Sequence, residues 1–189
     1  GNINVPGAWT ISPRLKLGNT TLPVQGKPLG VDEYPLFYEL WGRKSPYGIV
    51  SMVPEAIPDK LKAFIVEGGN PLMSMPDSKA FEEAFKKLEL LVVQDMFLTK
   101  TAELAHYVLP ACSHLEKWGL GYTYNVVHCM PYLMLRKKCI EPYHQSWSEW
   151  RFFTELAARM GMADKFPWQS EKELVAFELE PTGMSFDYL

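Results

Sequence analysis

Two short strings in this chain carry residue types suited to holding a nucleotide. The first is Glu67-Gly68-Gly69-Asn70-Pro71. Adjacent glycines accept positive φ and let a ligand approach the backbone closely. Amides freed in such a turn can face a phosphate. Asn70 offers both a donor and an acceptor, and Pro71 stiffens the exit. The second string is Gln94-Asp95-Met96-Phe97-Leu98-Thr99. A carboxylate at Asp95 can accept two parallel hydrogen bonds, a pair that guanine presents through its N1–H and amino group and adenine does not. Thr99 could add a hydroxyl contact. Both strings also have plainer explanations. Asn70 would bond to local backbone in a tight turn, while Asp95 would end a strand and Thr99 would cap a helix. The first string lacks the GxGxxG spacing of a dinucleotide fingerprint.

The flanking elements place both strings at strand ends. Ala63–Val66 is a short apolar run stopped by Gly68-Gly69, and Leu90–Val93 is a continuous apolar run, as expected of a strand covered on both faces. Between them, Asp77 is placed to cap a helix running through Leu88. On that helix Phe81, Ala84, Phe85 and Leu88 recur with helical period and form one buried stripe. Glu82–Lys86 and Glu83–Lys87 fall on the wet side in the favourable i, i+4 order. The arrangement is a βαβ unit, for which a right-handed crossover is expected. In an open α/β sheet, ligands sit outside the carboxyl ends of the strands, which is where the two strings lie. A loop then leads to a helix capped by Thr99 or Thr101, and Tyr107-Val108-Leu109 is a third strand ended by Pro110.

Elsewhere the signals are weaker. Residues 1–60 are punctuated by prolines and predict loops and short elements. A short helix is expected at Glu33–Trp41, and GNTTLPVQGKPLG reads as a hairpin or extended loop. Gly119 and Gly121 are expected to break the chain, with a strand near Leu133–Leu135. Ser146–Glu149 and Ser170–Glu173 have the form of capping boxes. The first should start a helix to about Met160 with Trp150, Phe153, Ala157 and Met160 as its stripe, stopped by Gly161. His106 reads as a partly buried histidine, and Glu116 with Lys117 as a solvated pair.

Composition excludes several classes. Hydrophobic residues make up 47% and aromatic residues 13% of the 189, which marks a globular chain. A net charge of −3 leaves no footprint for nucleic acid, and the cluster Arg136-Lys137-Lys138 reads as a solvated patch. No apolar run approaches the roughly 20 residues of a membrane-spanning helix, so no membrane contact is expected. The three cysteines, Cys112, Cys129 and Cys139, form no CxxC pair, which removes support for an iron–sulfur or zinc site of that kind. A looser cluster, Cys112 with His114 and His128 with Cys129, has permissive spacing only. No Ser–His–Asp or Cys–His catalytic set stands out.

The string EGGNP, followed by LLVVQDMFLTKTAELAHYVLPACSHLEKWG and then IEPYHQSWSEWRFFTELAARMG, resembles a middle segment of the molybdopterin oxidoreductases, the dimethyl sulfoxide reductase family. GNINVPG at the start is similar to a turn that precedes that segment. The resemblance implies an α/β fold: a Rossmann-like three-layer sandwich with a mainly parallel sheet, plus an irregular Pro-rich N-terminal region. One domain is expected over 1–189, with 1–60 irregular, 61–162 the Rossmann-like core and 163–189 an extension, excised from a larger enzyme.

The resemblance further implies a cofactor, molybdopterin guanine dinucleotide carrying molybdenum or tungsten. Gly68, Gly69, Asn70 and Pro71 match a first binding turn for its guanine nucleotide, and Gln94, Asp95 and Thr99 match a second. An iron–sulfur cluster would belong to the larger enzyme and not to this segment, since no N-terminal cysteine motif is present. No metal-ligand position or catalytic residue is identified here. The implied partners are the remaining domains and electron-transfer subunits, in the cytoplasm or exported to the periplasm. One departure is His106, where the family usually has Asp in an A-D-x-x-L-P string. The alternatives are a stand-alone guanine-nucleotide-binding module and a structural interaction module without redox role.

Overall fold

The computed structural model describes residues 16–20, 26–36, 48, 50–121 and 133–186. The chain divides into two compact units. One comprises Thr21–Ala111 with Gln145–Glu149, the other Gly1–Thr20, Cys112–His144 and Trp150–Leu189.

The first unit is built on a three-stranded sheet of β1 (Ala63–Glu67), β2 (Leu90–Asp95) and β3 (Tyr107–Pro110), in the order β1-β2-β3. Both pairings are parallel, with Glu67 beside Gln94 and Asp95 beside Pro110. The mixed α/β class with a parallel sheet is thus the one expected from the residues. Strand β2 carries the pattern of a strand covered on both faces. Leu91 and Val93 are 0% exposed on one face, while Val92 and Gln94 are buried on the other.

Three described α-helices of the first unit bear on this core. α1 (Val53–Ala56) contributes Val53 to the core, and Ile57 follows it there. α2 (Pro71–Ser74) is a single turn that begins on Pro71. α3 (Ser78–Phe85) starts where Asp77 accepts a hydrogen bond from the Ala80 amide at 3.0 Å. It ends three residues before Leu88, but Lys87 and Leu88 continue with tight turns onto Ala84 and Phe85. The expected stripe Phe81, Ala84, Phe85 and Leu88 is buried against Val66, Leu91 and Val93, and Glu82 pairs with Lys86 on the wet side. Burying Phe81 and Phe85, packed edge to face at 5.7 Å, supplies about 2 kcal/mol each from area alone.

Between β2 and β3 the expected helix is a single 3-10 turn, Ala102–Leu104. His106 closes this crossover. It is exposed rather than partly buried. Its Nδ1 accepts the Leu91 amide at 2.9 Å while its own amide donates to the Leu91 carbonyl at 2.9 Å. The side chain therefore serves as an extra rung at the start of the β2–β3 ladder. A carboxylate can accept an amide in the same way.

In the second unit, β4 (Gly119–Gly121) and β5 (Met134–Arg136) pair antiparallel. The two glycines do not break the chain. They admit close neighbours instead: a Cβ at Gly119 would meet Arg136 Nη2 at 2.9 Å, and one at Gly121 would meet Met134 Cε at 3.0 Å. Leu120 packs with Val175 and Leu179 of α5 (Glu171–Leu179). α5 starts as a cap: Ser170 Oγ accepts the Glu173 amide at 3.2 Å, and the Glu173 carboxylate returns to the Gln169 amide at 2.8 Å.

Glu116 is buried rather than solvated. Its carboxylate accepts the amides of Ser113 and Tyr143, tying two loop segments together. Burial pushes the Lys117 ammonium below the usual lysine range, and the Arg136 cation adds to the push.

α4 (Glu149–Arg159) starts later than a box at Ser146 requires. The backbone of Trp147 is engaged elsewhere: its amide donates to the Pro110 carbonyl at 3.0 Å and its carbonyl accepts from Gln94 Nε2 at 2.9 Å. The helix does stop at Gly161, whose φ is +74°. The Met162 amide reaches the Ala157 carbonyl and the Gly161 amide the Ala158 carbonyl, which is a Schellman closure. Of the expected stripe only Ala157 is buried, and Met160 lies beyond the helix at 62% exposure.

The sequence expectations for residues 37–41 of the Glu33–Trp41 helix, for 21–25 of the N-terminal loop, and for His128 and Cys129 lie outside the described residues. Among the described residues no group of three or more His, Cys, Asp or Glu side chains could hold a metal ion. No helix among them is long and apolar enough to cross a membrane.

Candidate functional site

The carboxyl ends of β1 and β2 lie side by side, about 5 Å apart as neighbouring strands must be. The two candidate strings leave the sheet at this edge. Gly68 has φ +55°, and its amide donates to the Gln94 carbonyl at 2.9 Å, so the first turn rests on the end of the second strand. Nothing lies within 4 Å of where a Cβ would stand at Gly68. The backbone face of the turn is open there.

Asn70 follows with its carbonyl already engaged. The amides of Met73 and Ser74 donate to it at 2.9 and 3.0 Å, which forms the single turn of α2 opened by Pro71. The Asn70 side chain is tied to the second string. Thr101 Oγ1 donates to Asn70 Oδ1 at 2.8 Å, and the Thr101 amide points at the same oxygen at 3.4 Å. Thr101 Oγ1 in turn accepts the Leu72 amide at 3.2 Å. A backbone N–H cannot accept, so the atom of Asn70 that faces Thr101 is the carbonyl oxygen. Asn70 Nδ2 is left facing the other way, with no partner among the described residues.

The second string is shaped by its own side chains. Asp95 is half-buried, and its Oδ1 accepts the Phe97 amide at 3.1 Å, an Asx turn. Its Oδ2 has no partner among the described residues. Thr99 Oγ1 accepts the Ala102 amide at 3.2 Å, so Thr99 and not Thr101 does the capping. Between them Met96, Phe97 and Leu98 stand 54%, 71% and 70% exposed.

The structure therefore brings Gly68, Gly69, Asn70, Pro71, Asp95 and Thr99 to one edge of the sheet. Gln94 is different. Its side chain is 1% exposed and turned to Trp147, and its Oε1 is buried without a partner among the described residues. It acts on the edge through its backbone carbonyl, which holds Gly68. Thr101 is the residue that reading the strings missed. A signal was available: two threonines, Thr99 and Thr101, cannot both cap one short turn, so one had to have another use.

A family model described as molybdopterin oxidoreductase matches residues 27–159. The F420-dependent formate dehydrogenase subunit alpha of Methanocaldococcus jannaschii is 34% identical over 146 residues, covering 76% of this chain and 21% of that protein. The acetylene hydratase of Syntrophotalea acetylenica is 30% identical over 143 residues, covering 76% of this chain and 19% of that protein. Among solved structures, acetylene hydratase from Pelobacter acetylenicus matches with a TM-score of 0.63 and 31% identity, over 72% of this chain and 18% of that one. The chain spans about a fifth of the length of these curated relatives.

Proposed function

This chain belongs to the molybdopterin oxidoreductase family, and from that premise we propose that its two strand-end turns hold the guanine nucleotide end of a molybdopterin guanine dinucleotide. The observation that carries this reading is the pairing of chemistries at one edge. Asp95 keeps Oδ2 and the second lone pair of Oδ1 for the paired donors of a guanine base, while Asn70 Nδ2 and the open backbone at Gly68 suit a phosphate. These residues fit such a group. Gly69, Pro71 and Thr99 shape the two turns, and Gln94 supports them from beneath.

When bound, the cofactor supplies the molybdenum or tungsten centre at which the reaction runs. The part played by this chain is positional: contacts with the remote guanine end orient the reacting end. The relatives include a dehydrogenase and a hydratase by name. A shared segment in proteins with such different reactions argues that the substrate is chosen elsewhere. The same logic makes this chain one domain of a larger enzyme. The exposed run Met96–Leu98 would then face its remaining domains, and electron-transfer subunits would belong to the assembly.

Titration of the isotope-labelled chain with GDP and ADP, followed by amide NMR, tests the reading. Weak binding is expected for GDP, at about 1 mM or −4 kcal/mol, with shifts at Phe97 and Asn70; ADP, which brings phosphates but no guanine, should leave Phe97 unshifted. Asp95→Ala should abolish the Phe97 shift with GDP. Micromolar GDP affinity would favour a stand-alone nucleotide-binding module. No nucleotide response at either turn would leave a structural module and sink the proposal.

A further inference from the structure

Asn70 is useful to a ligand only if its amide presents a defined end. A side-chain amide is a donor at nitrogen and an acceptor at oxygen, and rotation by a half-turn exchanges them. Nothing in its own turn settles that choice. The backbone carbonyl of Asn70 is taken by Met73, Ser74 and the Ser74 hydroxyl, and none of these touches the side-chain amide. The choice is made by Thr101, from 31 residues along the chain.

Thr101 is itself fixed. It is 0% exposed, and its hydroxyl has one proton to give. The Leu72 amide occupies one of the two acceptor sites on Oγ1 and leaves the proton free for Asn70 Oδ1. The Thr101 amide, aimed at the same atom, excludes the reverse bond in which Nδ2 would donate to Oγ1. With the amide reversed, Nδ2 would face an N–H donor.

We infer that Thr101 is a positioning residue that makes Asn70 an obligate hydrogen-bond donor toward the ligand. This rests on the nucleotide reading above and deepens it. The edge has a chemical polarity: it donates at Asn70 and accepts at Asp95. A ligand must therefore bring an acceptor, of which a phosphate oxygen is the strongest, to the first turn and a donor pair to the second. A neutral nucleoside would satisfy only the second.

The test uses the isotope-labelled chain, its variants Thr101→Val, Thr101→Ser and Asn70→Ala, and two probes, GDP and guanosine. Without any probe, 15N relaxation should find the Asn70 side-chain amide rigid in the parent and in Thr101→Ser. In Thr101→Val, where only the long backbone contact at 3.4 Å remains, its two signals should report a mobile group. GDP, and not guanosine, should shift them. Thr101→Val and Asn70→Ala should each weaken GDP binding about tenfold, the loss of one hydrogen bond to a charged group, and Thr101→Val should leave guanosine binding at Phe97 unchanged. Equal ordering of the Asn70 amide in Thr101→Val would overturn the inference. So would a loss of guanosine binding as large as that of GDP, which would mark a general structural effect. If guanosine shifts nothing in any variant while Asn70 ordering still follows Thr101, the guanine reading falls and the positioning role stands.

Discussion

The two turns at the sheet edge solve the same problem in opposite ways. The turn after β1 is made of backbone: Gly68 at positive φ, Gly69, and a proline that opens one helical turn. Its polar side chain is held from outside. The turn after β2 is made of side chains: Asp95 takes the Phe97 amide, Thr99 takes the Ala102 amide, and Thr101 reaches across to Asn70. The first turn is open but does not determine its own shape, and the second is self-determined and lends its order to the first. An edge that must admit a ligand and still aim its polar groups can divide the two tasks in this way. Glycines give access, and buried hydroxyls give direction.

Four substitutions would break or sharpen that division, each read as the change in urea unfolding midpoint. Thr101→Val should cost most, about 2 kcal/mol, because it leaves the Leu72 amide without a partner and the Asn70 oxygen with only the long backbone contact at 3.4 Å. A loss no larger than that of an exposed threonine would mean the second turn does not support the first. Gly68→Ala should cost about 1 kcal/mol, from the positive φ alone, since no atom obstructs the new methyl. Thr99→Ala should come next at about 0.7 kcal/mol, the lower part of the range for losing a capping oxygen. Gly69→Ala should be the mildest, within about 0.5 kcal/mol, because its Cβ would make ordinary contacts at 3.7 Å. Reversal of the two glycine effects would show that access is set by Gly69 instead.

A fifth measurement extends the contrast beyond the edge. His106→Ala should lower stability by about 1 kcal/mol through loss of the acceptor for the Leu91 amide, and His106→Asp should restore part of it. An unchanged midpoint in His106→Ala would remove the side chain from the β2–β3 ladder. The comparison matters because His106 stands at the opposite end of β2 from Asp95, and bears on the strand without bearing on the turns.

Much of the first unit was legible from local pattern. The strands at 63–67, 90–95 and 107–110, the buried stripe of α3 and its Asp77 cap follow from period, apolar runs and turn residues that act over a few positions. The stop at Gly161 is equally local. The errors share a cause. Gly119 and Gly121 look like breakers until Arg136 and Met134 are seen to need the space. Ser146 looks like a cap until Trp147 is seen to be bonded to Pro110 and Gln94. Glu116 looks solvated until two amides converge on it. In each case the deciding partner is remote in sequence.

The same boundary runs through the site. Residue types alone determined that two strand-end turns would exist, and that one would carry a carboxylate and the other an amide. Glycine, proline and apolar runs constrain the backbone wherever they occur, whatever surrounds them. Folding alone decided that Gln94 would be enclosed, that Thr101 would join the two turns, and which end of Asn70 would face outward. A hydrogen bond has a direction, and that direction depends on an atom brought near from a distant part of the chain.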